Sequence, residues 1–408
     1  MRISEVIPSN FLLCLRSDTD QNLLSLFNDD TWLQVLQLAR RYGIFPLLYQ
    51  RLIRERATLL LPTFIYQPIR AAYFQTLAEN SRRYATLAQV LAALRSSDIP
   101  VILLKGAYLA EHIYQDIGLR PMADFDLLVP RLDLLQTLEI LRGAGFEPYH
   151  EYIEEVDNAL SHHAPAIIKN GLVLEMHWDL VDPDSPLQTD LPGLWQRAMP
   201  VQLQDGSQAL ALAPLDLLLY LCVHTSYGHI FHSQIYSLCD IREVLAVLGG
   251  QIDWQAFIVA VDSWNARKGV YLALSLASEL LGADVPPEVL TALEHLSFSP
   301  MALKWAHVQL FRQTPSLSSN FNRLMRKGTF FERLISFWTA MFPAPRVMAS
   351  VYRVSPHSWR LVGLYPYNAV TRLTSYWRYA LDLLKRDPQR IQEADSSLNL
   401  LDWLGIKG

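Results

Sequence analysis

The fold is decided by two neighbouring stretches, Leu103-Leu-Lys-Gly-Ala-Tyr-Leu109 and Arg120-Pro-Met-Ala-Asp-Phe-Asp-Leu-Leu-Val-Pro130. In an extended strand alternate side chains share a face, so Asp124 and Asp126 project together while their apolar neighbours project the other way. Two carboxylates on one face repel each other unless a cation lies between them, and oxygen-only ligands suit Mg²⁺ or Mn²⁺. The alternative is a solvated strand end, but the apolar run 127–129 indicates a buried strand.

The chain around these acids alternates between strand and helix. Apolar spacing predicts strands at 101–104 and 125–129 and helices at 106–117 and 132–142. The dipeptide Asn170-Gly171 is a strong hairpin signal and predicts that strands 164–169 and 172–180 pair with each other. These elements predict an α+β fold with a small, mixed, half-open sheet that helices cover on one side.

Helical patterns flank this unit on both sides. Residues 21–97 have apolar residues at helical spacing, and Pro214 opens a second, largely helical region. We therefore predict four parts: an N-terminal helical region at 1–97, the α/β core at 98–213, a helical domain at 214–330, and a basic, aromatic-rich region at 331–408. The core is thus embedded in a mostly helical chain.

Composition excludes several classes of protein. The chain has 408 residues, 51% hydrophobic and 18% charged, which is unlike a disordered or fibrous protein. Its three cysteines have no CxxC spacing, which argues against a disulfide framework and a structural zinc site. The longest apolar stretch, 334–345, is too short to span a bilayer, although an amphipathic segment lying on a surface stays open there. We expect a cytoplasmic protein without a transmembrane segment.

Charge is divided unevenly along the chain. Residues 301–408 contain 15 lysines and arginines against 6 acids, so a basic quarter of +9 follows a body of −14. Aromatic residues alternate with arginines there: Trp359, Tyr365, Tyr367, Tyr376 and Trp377 with Arg353, Arg360, Arg372 and Arg378. Such a region suits RNA or an anionic lipid surface, and ordinary packing with exposed arginine head groups is the alternative.

A third acid falls on the predicted hairpin. Strand alternation puts Glu175 and His177 on one face of 172–180 and the apolar residues on the other. If this strand lies beside that of Asp124 and Asp126, three carboxylates meet on one face. Such a set is what two-metal phosphoryl transfer requires.

Three further residues near the acids suit a nucleotide. Gly106, at the predicted start of a helix, lets backbone N–H groups approach a triphosphate. Lys105 and Arg120 are nearby cations that can neutralise charge developing on it.

These motifs occur in the order of a known superfamily: Lys105-Gly106, Arg120, Asp124-x-Asp126 and Glu175-x-His177-Trp178. The chain resembles the polymerase-beta-like nucleotidyltransferases, and more closely the branch of uncharacterised nucleotidyltransferases, in which Lys-Gly stands where better-known members have Gly-Ser. The resemblance covers most of residues 20–345 and extends to a histidine-bearing helix with His224 and, further on, Asp240.

The resemblance implies an enzyme that transfers a nucleoside monophosphate from a nucleoside triphosphate, such as ATP, to an acceptor hydroxyl and releases pyrophosphate. It implies Mg²⁺ or Mn²⁺ as cofactor, with a polymerase-beta-like core. The implied residues are Asp124, Asp126 and Glu175 for catalysis and metal binding; Lys105, Gly106 and Arg120 for the nucleotide; and His177, His224 and Asp240 for the acceptor or for support of the site.

The acceptor stays open between a small molecule, a peptide or protein, and RNA. Two other functions also stay open. One is a non-catalytic nucleotide-binding or regulatory module of a peptide-modification or natural-product system. The other is an RNA-directed transferase that uses the basic C-terminal region.

Other histidines have weaker patterns. His224, His229 and His232 lack the i, i+4 spacing of a helical zinc site, which favours capping, core or substrate-pocket roles over a metal. We interpret His162-His163, which precede Pro165, as an exposed turn without a functional role.

Overall fold

The structure is a computed structural model and describes residues 9–16, 18–54, 61–149, 152–153, 157–158, 160–294, 299–312, 338, 341–352, 354–384 and 388–406. Within these ranges, helices flank a mixed seven-stranded sheet. The α+β fold predicted from the sequence is therefore confirmed. No helix in these ranges is both long enough and apolar enough to cross a membrane.

The N-terminal helices support the sheet from its apolar face. They are α1 (Ser9–Leu15), α2 (Gln21–Ser25), α3 (Asp29–Tyr42), α4 (Phe45–Leu48), a π-helical turn (Tyr49–Arg54) and the long α5 (Thr63–Arg95). The hydroxyl of Tyr84 on α5 donates to the carbonyl of Ala107 at 3.0 Å, and its ring lies 5.1 Å from that of Phe125. Helix α5 thus holds the two elements that carry the central motifs.

The sheet has the order β3-β4-β5-β2-β1-β7-β6. Its strands are β1 (Ile102–Leu103), β2 (Phe125–Leu128), β3 (Glu147–Pro148), β4 (Ile167–Lys169), β5 (Leu172–His177), β6 (Met199–Gln202) and β7 (Gln208–Ala211). Strands β2 and β5 are parallel, as are β1 and β7, whereas the other neighbours are antiparallel. The predicted hairpin is confirmed, because Asn170 (φ 51°) and Gly171 (φ 77°) form the turn between β4 and β5.

Three strands are absent from the sequence prediction, and one predicted helix is too long. Strands β3, β6 and β7 consist largely of exposed and half-buried residues, so they lack a strong apolar pattern. Between β1 and β2, helix α6 (Lys105–His112) ends before the predicted Ile117, because Gln115 has a φ of 55° and turns the chain. The helix predicted at 132–142 is a 3₁₀ turn (Arg131–Asp133) followed by α7 (Leu134–Gly143).

Helix α8 (Leu191–Arg197) precedes β6, and the remaining helices follow Ala211. They are α9 (Pro214–Val223), a π-helical turn (His224–Gly228), α10 (Ile235–Leu248), α11 (Trp254–Ser263), α12 (Arg267–Leu281), α13 (Pro287–Leu293), α14 (Pro300–Leu310), α15 (Pro345–Tyr352), α16 (Arg360–Leu384) and α17 (Pro388–Leu404). Asp126 and His177 are 4% and 1% exposed. Tyr220 on α9 contacts Lys105, and Asp240 on α10 pairs with Arg120. The predicted sheet with helices on one side only is therefore wrong at the face that carries Asp126.

Candidate active site

Strands β2 and β5 bring two of the predicted acids together. Asp126 and Glu175 are register partners in this parallel pair. Phe125, Leu127 and Leu174 point to the opposite face and are fully buried. Alternation on two adjacent strands therefore places both carboxylates on one face above an apolar core.

Asp126 is held between two cationic groups. Its Oδ1 accepts hydrogen bonds from Lys105 Nζ and His177 Nε2, each at 2.9 Å. Burial alone would raise the pKa of Asp126, but the charge of Lys105 and the hydrogen bond from His177 outweigh it, so the pKa lies far below its usual range. Burial lowers the pKa of His177, yet its hydrogen bond to Asp126 and the nearby carboxylate of Glu175 raise it overall. Asp126 is thus an ionised carboxylate inside the protein.

Glu175 lies nearer to solvent and completes a group of three. Its Oε2 is 3.7 Å from His177 Nε2, and its side chain is a quarter exposed. The neighbouring imidazole of His177 lowers the pKa of Glu175 despite partial burial. Ligand atoms of Asp126, Glu175 and His177 all lie within 4.8 Å of one another. The carboxylates of Asp126 and Glu175 are oxygen ligands of the kind that Mg²⁺ and Mn²⁺ bind, so they fit a divalent cation, while His177 Nε2 donates to Asp126 and holds that carboxylate in place.

Asp124 stands just before β2 and is half-buried. It lies outside the group of three that the described residues form around His177. Burial raises the pKa of Asp124, and the charges of Asp126 and Glu175 raise it further. The structure therefore places this acid next to two others without giving it the strong cationic partners of Asp126.

The Lys105-Gly106 pair forms a tight turn into α6. Lys105 has a φ of 41°, which is uncommon for a residue with a side chain. A Cβ on Gly106 would overlap Arg120 Nη1 and lie 2.7 Å from Met122 Sδ. A larger residue here would have to displace these two side chains, and the guanidinium of Arg120 reaches the start of α6.

Arg120 and Asp240 form a buried ion pair between the core and the helical region. Arg120 Nη2 donates to Asp240 Oδ2 at 2.7 Å, and Arg120 Nε donates to Oδ1 at 3.0 Å. Tyr114 also donates to Asp240 Oδ1 at 2.8 Å, and the ring of Tyr236 lies 5.7 Å from the guanidinium carbon of Arg120. Burial opposes the charge of Arg120, but Asp240 raises the pKa of the guanidinium. Two predicted site residues that are far apart in sequence therefore meet directly.

His224 borders the same cluster at the start of a π-helical turn. Its Nε2 lies 3.1 Å from His229 Nε2. Burial lowers the pKa of His224 well below its usual value, and the charge of Lys105 adds to this effect. Its imidazole is therefore neutral. His232 is not part of this pair, and no zinc-type cluster of these histidines occurs among the described residues.

Residues 28–282 match a protein family described as an uncharacterised nucleotidyltransferase. The chain belongs to this family. It is therefore an enzyme of the nucleotidyltransferase class, as its motif order predicts. No curated protein gave a match.

Two solved structures are similar to this nucleotidyltransferase. One is a crystal structure of ANT(2″)-Ia in complex with adenylyl-2″-tobramycin, with 12% identity over 45% of this chain and 97% of that chain and a TM-score of 0.33. The other is a solution structure of the antibiotic-resistance factor ANT(2″)-Ia, with 13% identity over 48% of this chain and 98% of that chain and a TM-score of 0.32.

The site of this nucleotidyltransferase contains residues that sequence reasoning missed. Tyr220 on α9 is buried, and its hydroxyl bonds to Lys105. In the sequence, the only feature that could have marked Tyr220 is its polar hydroxyl within the apolar run of α9. His162 and His163 are not an exposed turn: both are half-buried, and each ring centroid lies 5.0 Å from that of His177. The interpretation of these two histidines was wrong because the bridge of His163 to His177 and the bond from Trp178 N to the carbonyl of His162 are tertiary contacts.

Proposed function

We propose that this nucleotidyltransferase transfers a nucleoside monophosphate from a nucleoside triphosphate to an acceptor hydroxyl in a reaction that depends on Mg²⁺ or Mn²⁺. The observation that carries the proposal is the pairing of Asp126 and Glu175 on adjacent strands, with Asp124 two residues upstream and the start of α6 beside them. Cys14, Cys222 and Cys239 are all buried, which suits the reducing cytoplasm in which we place this reaction.

The reaction joins the acceptor oxygen to the α-phosphorus and breaks the bond from that phosphorus to the bridging oxygen. Pyrophosphate leaves with the electron pair of that bond. Glu175 is ionised and partly exposed, so it is the group that receives the proton of the acceptor hydroxyl. A divalent cation held by Asp124, Asp126 and Glu175 would supply charge neutralisation at the phosphates and lower the pKa of the hydroxyl.

The triphosphate binds at the start of α6. Backbone N–H groups and the positive end of the helix dipole favour phosphate there. Arg120 uses Nε and Nη2 for Asp240, while its Nη1 reaches Gly106 at the helix start. Lys105 approaches the same place from the side of Asp126. These contacts support the predicted nucleotide-binding roles of Lys105, Gly106 and Arg120.

The acceptor enters beside Glu175 on the side of His224. Asp240 and His177 are buried and already hydrogen-bonded, so they support other residues and do not contact the acceptor. His224 is neutral and only partly buried, which allows it to accept a hydrogen bond from a hydroxyl. Nothing in this geometry favours a small molecule, a peptide or RNA as the acceptor.

Incubation with each α-labelled nucleoside triphosphate, Mg²⁺ and a cell extract tests the proposal. The wild-type protein should label one component of the extract, and the double variant Asp124→Asn/Asp126→Asn should label none. Equal labelling by both proteins would refute the catalytic roles assigned to these acids.

Calorimetry without an extract then separates an enzyme from a regulatory module. Nucleotide binding without any transfer would favour the module.

A further inference from the structure

The outward face of α16 is apolar. Trp359, directly before the helix, is 82% exposed, and Val362, Val370 and Leu373 are 77%, 60% and 49% exposed. Pro366 is exposed at the same side. At about 100° per residue these five positions fall within one narrow arc of the helix. We call them the apolar stripe. Helices of soluble proteins normally bury such a row of apolar side chains. Its exposure here indicates that a binding partner covers it.

The stripe does not result from a helix that is placed loosely. Helix α16 is held to α15, where Tyr352 donates to Asn368 Oδ1 at 3.2 Å, and to the segment just before α15. Asn368 Nδ2 donates to the carbonyl of Met341 at 3.0 Å, and Tyr365 donates to the carbonyl of Pro343 at 2.9 Å. Asn368 is nearly completely buried. These bonds fix which side of α16 faces inward, and the stripe is on the other side.

The charge around the stripe has one sign. From 333 to 381 the sequence contains six arginines, at positions 333, 346, 353, 360, 372 and 378, and no aspartate or glutamate. Arg346 on α15 and Arg360 at the start of α16 are exposed. Acids flank this segment at Glu332 and Asp382. An exposed apolar row with arginines and without acids matches a surface that is negatively charged outside and apolar beneath.

We propose that α15 and α16 bind the surface of an anionic lipid bilayer, with the apolar stripe inserted below the head groups. The valines and the leucine bury in the acyl region, Trp359 lies at the interface, and Arg346 and Arg360 contact the head groups. The helices lie on the bilayer and do not cross it, since neither is apolar enough to span.

RNA fits this face less well than lipid does. Single-stranded RNA binds by stacking bases on aromatic rings, whereas three of the five stripe residues are aliphatic and offer no ring. Of the aromatic residues that the sequence suggests for stacking, Tyr365 is half-buried against Pro343. The basic charge is common to both partners, so the aliphatic row decides between them.

Flotation of the full chain with vesicles tests the proposal. One set contains only phosphatidylcholine, and the other contains equal parts of phosphatidylcholine and phosphatidylglycerol. We expect the wild-type protein to float with the anionic vesicles, less at high salt, and to stay behind with the neutral set. The double variant Val362→Asp/Val370→Asp should bind at least about tenfold more weakly. Arg346→Gln/Arg360→Gln should weaken binding and flatten its salt dependence.

Val259→Asp is the matched control, because Val259 is 65% exposed on α11 and lies outside the stripe. It should float like the wild-type protein, and all variants should keep the same circular dichroism spectrum and melting temperature. Flotation of Val362→Asp/Val370→Asp equal to wild type would overturn the proposal. So would dissociation of a wild-type dimer by that variant in light scattering, or binding of single-stranded RNA in place of vesicles.

Discussion

The acid-bearing face of the sheet and the α15–α16 pair both contain charged residues. In the first region the charges are balanced, and in the second they are not. At the sheet, carboxylates and cations alternate within a few ångströms, as in the contacts of Asp126 with Lys105 and His177. From 333 to 381 the charged residues are all arginines, and the apolar stripe on α16 is exposed. The first region is nearly closed to water, whereas the second faces it.

This difference distinguishes a site that is suited to catalysis from a surface that is suited to association. Buried charges must be balanced because each unpaired one is costly, and a balanced set keeps its groups in fixed positions for chemistry. An exposed surface whose charges have one sign has no balancing charges within the protein. It is therefore suited to an external partner of the opposite charge. Substitutions should therefore affect stability at the sheet and association at the helical pair.

Asp126→Asn should have the largest effect. Transfer should fall at least about 10³-fold, because the residue sits at the centre of the acid group. The free energy of unfolding should also fall by about 3–5 kcal/mol, since Lys105 loses its carboxylate inside the protein. Urea unfolding and α-labelled transfer measure the two effects. The exposed acid Asp284 provides the control, and Asp284→Asn should change neither.

The Arg120–Asp240 pair should show strong coupling. Arg120→Met and Asp240→Leu should each lower the free energy of unfolding by about 3–5 kcal/mol, because each leaves a buried charge alone. The double variant should lose less than the sum, by about 1–3 kcal/mol. A double-mutant cycle from urea unfolding gives this number. Additive losses would mean that the two side chains do not interact.

Gly106→Ala should be destabilising by about 1–3 kcal/mol, because the new Cβ overlaps Arg120 Nη1 and Met122 Sδ. Gly143→Ala is the matched control. A Cβ at Gly143 meets nothing within 4 Å, and this glycine ends α7, so alanine should be neutral or slightly stabilising there. The melting temperatures of the two variants, each compared with that of wild type, test this prediction. Equal melting temperatures would show that the side chains of Arg120 and Met122 move aside without a cost in stability.

Asp124→Asn should stabilise the metal-free protein slightly while it removes transfer. Folding raises the pKa of Asp124 through burial and through Asp126 and Glu175, so its ionised form costs stability at neutral pH. The variant's melting temperature should exceed that of wild type by roughly 1–3 °C at pH 7. The difference should shrink as the pH falls through the raised pKa, because the wild-type carboxyl becomes neutral. A variant that melts below wild type at pH 7 would contradict this placement.

Val370→Asp should have the smallest effect on the isolated protein. The side chain is exposed, so the free energy of unfolding should change by less than about 0.5 kcal/mol. Thermal melting in the absence of vesicles measures it. A large loss would show that the stripe packs within the protein and would remove the contrast between the two regions.

The sequence predicts those parts of the site that depend on local pattern. Alternation places Glu175 and His177 on one face, and Asn170-Gly171 fixes the hairpin because both residues adopt positive φ. The side of the sheet that carries the acids follows from the same rule. The roles of the individual site residues remain predictions.

Contacts between distant residues could not be predicted. The hydrogen bond that Lys105 donates to Tyr220 and the pair formed by Arg120 with Asp240 join residues more than 100 positions apart, and no local pattern encodes them. Strand β7 is stabilised by its parallel pairing with β1, and its own residues alternate only weakly. Whether such a strand forms therefore depends on its pairing in the folded sheet and not on its own sequence.

The most direct test of the acid-bearing face as a catalytic site compares Glu175→Gln with wild type. Nucleotide binding is measured by calorimetry, and pyrophosphate release is measured with each nucleoside triphosphate, Mg²⁺ and a cell extract. Wild type should bind one nucleotide and release pyrophosphate as it labels an acceptor, whereas Glu175→Gln should still bind that nucleotide and release none. Equal pyrophosphate release by both proteins would contradict a catalytic role for this face.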